Sequence, residues 1–147
     1  MTTPNTCTVR LSRSFDASPE CVFDAWLNPA TAGRWLFATP TGQMVRLEID
    51  ARPGGKFLIV ERRGSEDVEH LGEYIEVDRP HRLEFSFTVP RYSPLATHVG
   101  IEIAPAGAGC ELTLTHEGVL EEWASSTEVG WKSILDGLAA SLDQDQG

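Results

Sequence analysis

The chain is poor in several things that would identify a function at once. It has only three cysteines, Cys7, Cys21 and Cys110, in 147 residues. An odd, widely spaced set makes no disulfide framework, and no pair has the spacing of metal ligands. They read as small buried hydrophobes in a chain that works in a reducing cytoplasm. Basic residues are scarce too: 12 Lys and Arg face 22 Asp and Glu, a net charge of -10. The densest basic pair is Arg62-Arg63. Such a chain repels phosphate backbones and anionic lipid, so neither a nucleic acid nor a membrane is an expected partner. No apolar run approaches a membrane span, and Met1 to Thr6 lacks the basic-then-apolar order of a signal peptide. There is no Gly-x-Ser-x-Gly elbow, phosphate-binding loop, dinucleotide fingerprint or zinc-binding helix motif. His70, His81, His98 and His116 are scattered, so neither a metal nor any other cofactor is expected.

What is present is an ordered set of short elements. With 147 residues and 41% hydrophobic composition, one domain with a real core is expected, without repeats or linkers. Cys7, Val9, Leu11 and Phe15 share one parity, as in a half-buried strand. Ser18 is a natural helix N-cap, Pro19 suits the first helical position, and Glu20 favours the positive end of the helix dipole. Val22, Phe23 and Trp26 then form an apolar stripe, and Asn28-Pro29 opens a second short helix through about Trp35. Six strands follow in hairpin order. They centre on residues 45 to 49, 57 to 63, 68 to 77, 82 to 87, 99 to 103 and 112 to 114, with a two-proline loop at Pro90 to Pro94. From about Leu120 the period becomes helical: Trp123, Thr127, Trp131, Ile134 or Leu135, Leu138 and Leu142 fall three or four residues apart. Residues 144 to 147 are expected to fray. Tight turns make the strands antiparallel, and the helix over about 120 to 142 is the element long enough to cover their apolar face. The predicted class is α+β, with a seven-stranded antiparallel sheet curved around the C-terminal helix.

The run Phe15-Asp16-Ala17-Ser18-Pro19-Glu20-Cys21-Val22-Phe23-Asp24-Ala25-Trp26-Leu27-Asn28-Pro29, with Trp35 beyond it, resembles the opening of the SRPBCC or START-like superfamily. Within it the chain is similar to the domain related to the C-terminal part of the activator of heat-shock-protein-90 ATPase. The likeness continues at Pro53-Gly54-Gly55-Lys56-Phe57, at Gly72 to Leu83, at Leu112 to Gly118 and at Gly130-Trp131, covering about 8 to 142. The resemblance implies a helix-grip fold, usually with a cavity between helix and sheet. It implies a binder of a small hydrophobic molecule. An enzyme of the polyketide-cyclase or aromatase kind is the alternative, and a chaperone-associated stress-response protein a further one. The true activator carries an additional N-terminal domain, so this chain alone is not expected to stimulate a heat-shock ATPase. A monomer or homodimer fits equally.

Parity selects candidate pocket residues. His116 shares parity with Leu112 and Leu114 and should point inward, while His98 should face solvent. Glu61 follows Phe57 and Ile59 in phase and should also point inward. Of Glu73 and Tyr74, one must face the interior, and alternation leaves open which. A buried carboxylate or imidazole needs a partner or shifts its pKa, so such groups mark sites. Against this stands the plainer reading that Glu61 ends a strand in water and His116 is a satisfied core histidine. The predicted pocket comprises Trp35, Phe57, Glu61, Tyr74, Phe85, Leu112, His116, Thr127, Trp131 and Leu135, with Trp131 on the helix after the small Gly130. No catalytic residue is assigned.

Overall fold

A computed structural model describes residues 6–32, 35–36, 42–90 and 96–146. The elements run β1 (Thr6–Phe15), α1 (Pro19–Leu27), α2 (Pro29–Ala32), β2 (Gln43–Ile49), β3 (Lys56–Arg63), β4 (Glu66–Asp78), β5 (Arg82–Phe87), β6 (Thr97–Ala106), β7 (Gly109–Leu120), a 3-10 turn (Glu121–Trp123) and α3 (Ala124–Gln146). The strands form one seven-stranded sheet in the order β1-β7-β6-β5-β4-β3-β2. Every neighbouring pair is antiparallel. β2 to β7 are successive hairpins. β1 joins the free side of β7, so α1 and α2 carry the chain from one edge of the sheet to the other.

Local chemistry accounts for these elements. The Ser18 hydroxyl accepts the Cys21 amide at 3.2 Å, and Pro19 opens α1, as a cap-and-proline start requires. Val22, Phe23, Ala25 and Trp26 form its buried stripe. α2 is shorter than the sequence suggests. It ends at Ala32, whose carbonyl accepts the amides of Trp35 and Leu36 at 3.2 and 2.8 Å in a following turn. The expected loop at Pro90 to Pro94 lies almost wholly outside the described residues.

The sheet curves because its strands are bulged. Register shifts fall between Cys7 and Val9, Met44 and Arg46, and Tyr74 and Glu76. Each inserts a residue and bends the ladder. The third decides the question of β4. Val68, His70 and Tyr74 face inward up to the bulge, and Val77 opposite Leu83 faces inward after it. Tyr74 is thus buried, while Glu73 and Ile75 are exposed.

β7 runs well beyond Leu112 and Leu114, through Leu120, and α3 begins at Ala124. Trp123 therefore stands in the 3-10 turn, 42% exposed, and not on the buried stripe of the helix. Helix continues through Gln146, so the frayed end expected from residue 144 onward is not seen up to that point. Trp131, Leu135, Leu138 and Leu142 form the buried stripe. Each such side chain contributes about 1.5–3 kcal/mol of burial. Gly137 lets the helix approach the turn after α2: a Cβ there would lie 3.3 Å from the Cβ of Trp35.

Candidate functional site

The concave face of the sheet changes character along its length. At one end Phe57, Tyr74 and Phe85 meet Trp26, Leu36 and Leu83 around a gap of only about 10 Å³. Phe57 and Phe85 pack edge to face at 5.4 Å. Gly72 makes room for Phe57, because a Cβ there would lie 2.6 Å from that ring and 1.9 Å from the Ser86 carbonyl oxygen. At the other end, where α3 begins, the same inward rows carry polar groups. β3 continues from Ile59 to Glu61 and Arg63, β4 supplies His70, β6 begins with Thr97, and β7 brings in His116.

His116 is buried and fully engaged. The Trp131 indole Nε1–H donates to His116 Nδ1 at 3.0 Å. An indole nitrogen only donates, so Nδ1 must be the acceptor and the ring proton sits on Nε2. That N–H faces Thr97 Oγ1 at 2.7 Å, and the Thr97 hydroxyl donates to the Phe87 carbonyl at 2.9 Å. Helix, β7, β6 and β5 are joined through one directed chain of hydrogen bonds. Burial, with a smaller contribution from His98, pushes the His116 pKa down to about 4. The ring is neutral at ordinary pH.

Phe87 links this chain to β4. Its ring stacks on His70 at 6.2 Å and 13° and lies 5.8 Å from His116 and 6.2 Å from Trp131. His70 Nδ1 donates to the Ile59 carbonyl at 3.2 Å. Burial pushes its pKa down to about 4, against the opposing pull of that carbonyl. Glu61, 1% exposed, meets Arg63 Nε at 2.5 Å. The guanidinium compensates a carboxylate that would otherwise be costly to bury.

Between these residues and the first turns of α3 lies a cavity of about 530 Å³. Phe87, Val89, Val119, Leu120 and Trp123 give it apolar walls, and Arg63, Thr97, His116, Ser126 and Thr127 its polar points. Gly130 lines it as well, and a Cβ added there would meet nothing within 4 Å. A second hollow, of about 630 Å³, lies by β2 to β5 among Glu48, Asp50, Lys56, Glu73 and Ser86. Ile49, Phe57, Leu58 and Leu71 line it too, but four charged side chains share its walls, where the cavity beside α3 has one.

The ten residues singled out in the sequence are therefore dispersed. His116 and Thr127 line the cavity of about 530 Å³ beside α3. Trp131 packs behind His116 and holds it. Glu61 is buried beside Arg63, which lines the cavity. Phe57, Tyr74 and Phe85 enclose the small gap at the far end, where burial raises the Tyr74 pKa. Trp35 packs on Trp26 at 4.8 Å, and Leu112 and Leu135 are interior. His98 lies outside the core, its Nε2 3.7 Å from Glu84. Arg63, His70 and Thr97 were not singled out, although the signal was there. Arg63 continues the row Phe57, Ile59, Glu61, and Thr97 continues the row Val99, Ile101, Ile103. His70 shares the parity of Tyr74.

Among the described residues no group of three or more His, Cys, Asp or Glu is placed to hold a metal ion. No described helix is long and apolar enough to cross a membrane.

A curved antiparallel sheet holding one long C-terminal helix is the helix-grip architecture of START-like proteins. The chain belongs to the family described as activator of Hsp90 ATPase homolog 1-like protein, whose model matches residues 16–143. Among solved structures it is similar to protein CV1439 from Chromobacterium violaceum, at 28% identity and a TM-score of 0.83, covering 90% of this chain and 94% of that one. The AHSA1-like protein from Aeromonas hydrophila matches at 21% identity and a TM-score of 0.81, covering 95% and 94%. A protein of unknown function, SA2116 from Staphylococcus aureus, matches at 16% identity and 0.88, covering 97% of each chain. The last two likenesses bear on the fold alone. No curated protein is significantly similar.

Proposed function

We propose that this chain is a single START-like domain, with its core over about 8 to 142, that binds a small hydrophobic molecule in the cavity between the start of α3 and the open end of the sheet. The observation that carries the reading is the cavity itself: about 530 Å³, walled largely by apolar side chains with a few polar points. That size and lining suit a drug-sized apolar ligand. The family membership supports a ligand-binding role in general. Binding is favoured over catalysis because Glu61, Tyr74 and His116 do not converge. Tyr74 is at the packed end, and both ring nitrogens of His116 face protein groups. Three free cysteines and the net charge of -10 support a cytoplasmic protein without nucleic-acid or membrane partners, acting as monomer or homodimer.

The test is titration with an environment-sensitive apolar dye, reading dye emission and tryptophan quenching. Saturable binding is expected, weakened several-fold by Trp123→Ala at the cavity wall. A dye that never saturates, or binding indifferent to Trp123 and to other cavity-wall substitutions, sinks the proposal.

A further inference from the structure

We propose that the cavity selects uncharged apolar molecules that carry a hydrogen-bond donor, an O–H or N–H group on an aliphatic or aromatic body, and that Thr97 Oγ1 is the atom that accepts from it. The inference rests on the binding reading above and names the ligand class for that same cavity.

The direction of the hydrogen-bond chain decides what the cavity can offer. The Trp131 indole donates to His116 Nδ1 at 3.0 Å, which leaves the ring proton on Nε2. That N–H donates to Thr97 Oγ1 at 2.7 Å. Thr97 in turn donates its own proton to the Phe87 carbonyl at 2.9 Å. A hydroxyl has one proton and two acceptor positions. The proton and one position are committed, so Thr97, which lines the cavity, keeps a single acceptor position. His116 lines the cavity too, but both its nitrogens are engaged and only the face of its ring is left. A ligand O–H or N–H extends this chain. A ligand ether or carbonyl oxygen would set its lone pair against that of Thr97. The hydroxyls of Ser126 and Thr127, on the first turn of α3, can rotate to give or to take a bond, so discrimination falls to Thr97.

Charge argues for a neutral guest. Arg63 is the one charged side chain among the described lining residues, and the buried Glu61 carboxylate, 2.5 Å from its Nε, already matches it. The neutral His116 adds no charge. A carboxylate would carry an unmatched negative charge into a protein of net charge -10, beside a turn that holds the exposed Glu121 and Glu122. An ammonium would leave water with no carboxylate among the described lining residues to receive it. Phe87, Val89, Val119 and Leu120 supply the wall for the apolar body.

The experiment titrates the full chain at neutral pH with 1-decanol, methyl nonyl ether, decanoate and decylamine, each below its micelle concentration or solubility limit, by calorimetry and tryptophan fluorescence. Decanol and the ether share one composition, and only decanol has a donor. Decanol should bind about 3- to 10-fold more tightly than the ether, the range of one neutral hydrogen bond. It should bind at least about 10-fold more tightly than either ion. Thr97→Ser keeps the hydroxyl and should keep the preference for decanol over the ether. Thr97→Val removes the hydroxyl and should abolish it, with near-ultraviolet circular dichroism to verify the fold. Because that variant strands the His116 N–H, a crystal structure of the native chain with decanol supplies an independent readout: the alcohol oxygen should lie within hydrogen-bond distance of Thr97 Oγ1. Equal binding of decanol and ether overturns the donor assignment and leaves the cavity reading standing. So does a preference that survives in folded Thr97→Val, or a decanol oxygen seated elsewhere in the cavity. Tighter binding of decanoate or decylamine than of decanol overturns the neutral class. If none of the four probes binds saturably, the cavity reading fails as well.

Discussion

The two ends of the helix grip are built from the same strand rows, yet one is solid and the other hollow. At the packed end the aromatic rings of Phe57, Tyr74 and Phe85 close on Trp26 and leave about 10 Å³, roughly the space of one water. At the other end the rows reach Arg63, Thr97 and His116, and about 530 Å³ remains. Side-chain size explains the contrast. Large rings from three strands and α1 converge at the first end. At the second, α3 contributes Ser126, Thr127 and Gly130, which are too short to reach the sheet. Polarity follows the same division, because buried polar groups collect where they can bond one another.

The largest test of this comparison is truncation. Phe57→Ala or Phe85→Ala should cost about 3–5 kcal/mol, since the packed end has no space into which its neighbours are already relaxed. Trp123→Ala, at a side chain 42% exposed on the hollow, should cost less than about 1 kcal/mol. Urea unfolding of the variants measures both. Similar losses at the two ends would mean that the hollow is as tightly packed as the aromatic cluster.

Acid should strike the hollow end selectively. His70 and His116 have folded pKa values near 4, depressed chiefly by burial, against about 6.5 for an unfolded histidine. Between those values the unfolded chain binds more protons, so stability rises with pH across the window. Their stabilising effect is fully present above about pH 6.5 and is lost as pH falls toward 4. Between pH 7 and pH 5 each histidine should withdraw up to about 2 kcal/mol. Removing one by His116→Gln should flatten the dependence, while Phe85→Leu at the packed end should leave its slope intact. Equal slopes in the native chain and the His116 variant would show that the buried imidazole is protonated as easily folded as unfolded.

Much of this was legible in the sequence, and the gaps have physical causes. Alternation in β7 placed His116 inward because no bulge interrupts Leu112, Leu114 and His116. In β4 the bulge after Tyr74 reverses the inward parity, so Leu71, Ile75 and Val77 gave no consistent answer for Glu73 and Tyr74. The apolar period of α3 was readable, but its start was not. Trp123 matches the helical spacing and yet lies in a 3-10 turn. The position of the cavity was least accessible. Parity tells which side chains point inward, and nothing in it measures whether those from opposite walls meet. Trp131 drew attention as the large residue of the helix. It instead braces His116, while its small neighbour Gly130 leaves the space.

Gly130 gives the smallest and most discriminating prediction. It lies inside a regular helix, faces the cavity, and has nothing within 4 Å of a would-be Cβ. Glycine in a helix interior is about 0.5–1 kcal/mol less favourable than alanine, because the unfolded chain has more freedom to lose. Gly130→Ala should therefore stabilise the protein by that amount, read as a higher urea midpoint at constant slope. Gly130→Leu adds a side chain that must occupy the hollow. It should keep most of that stability and weaken dye binding at least about tenfold, as a blocked site does. At Gly137 the same alanine exchange meets Trp35 at 3.3 Å, so the gain there should shrink or change sign. A Gly130→Leu variant that is both stable and fully competent to bind would move the ligand away from this cavity. A Gly130→Ala variant that is less stable than the native chain would mean that the apparent space beside α3 is already filled.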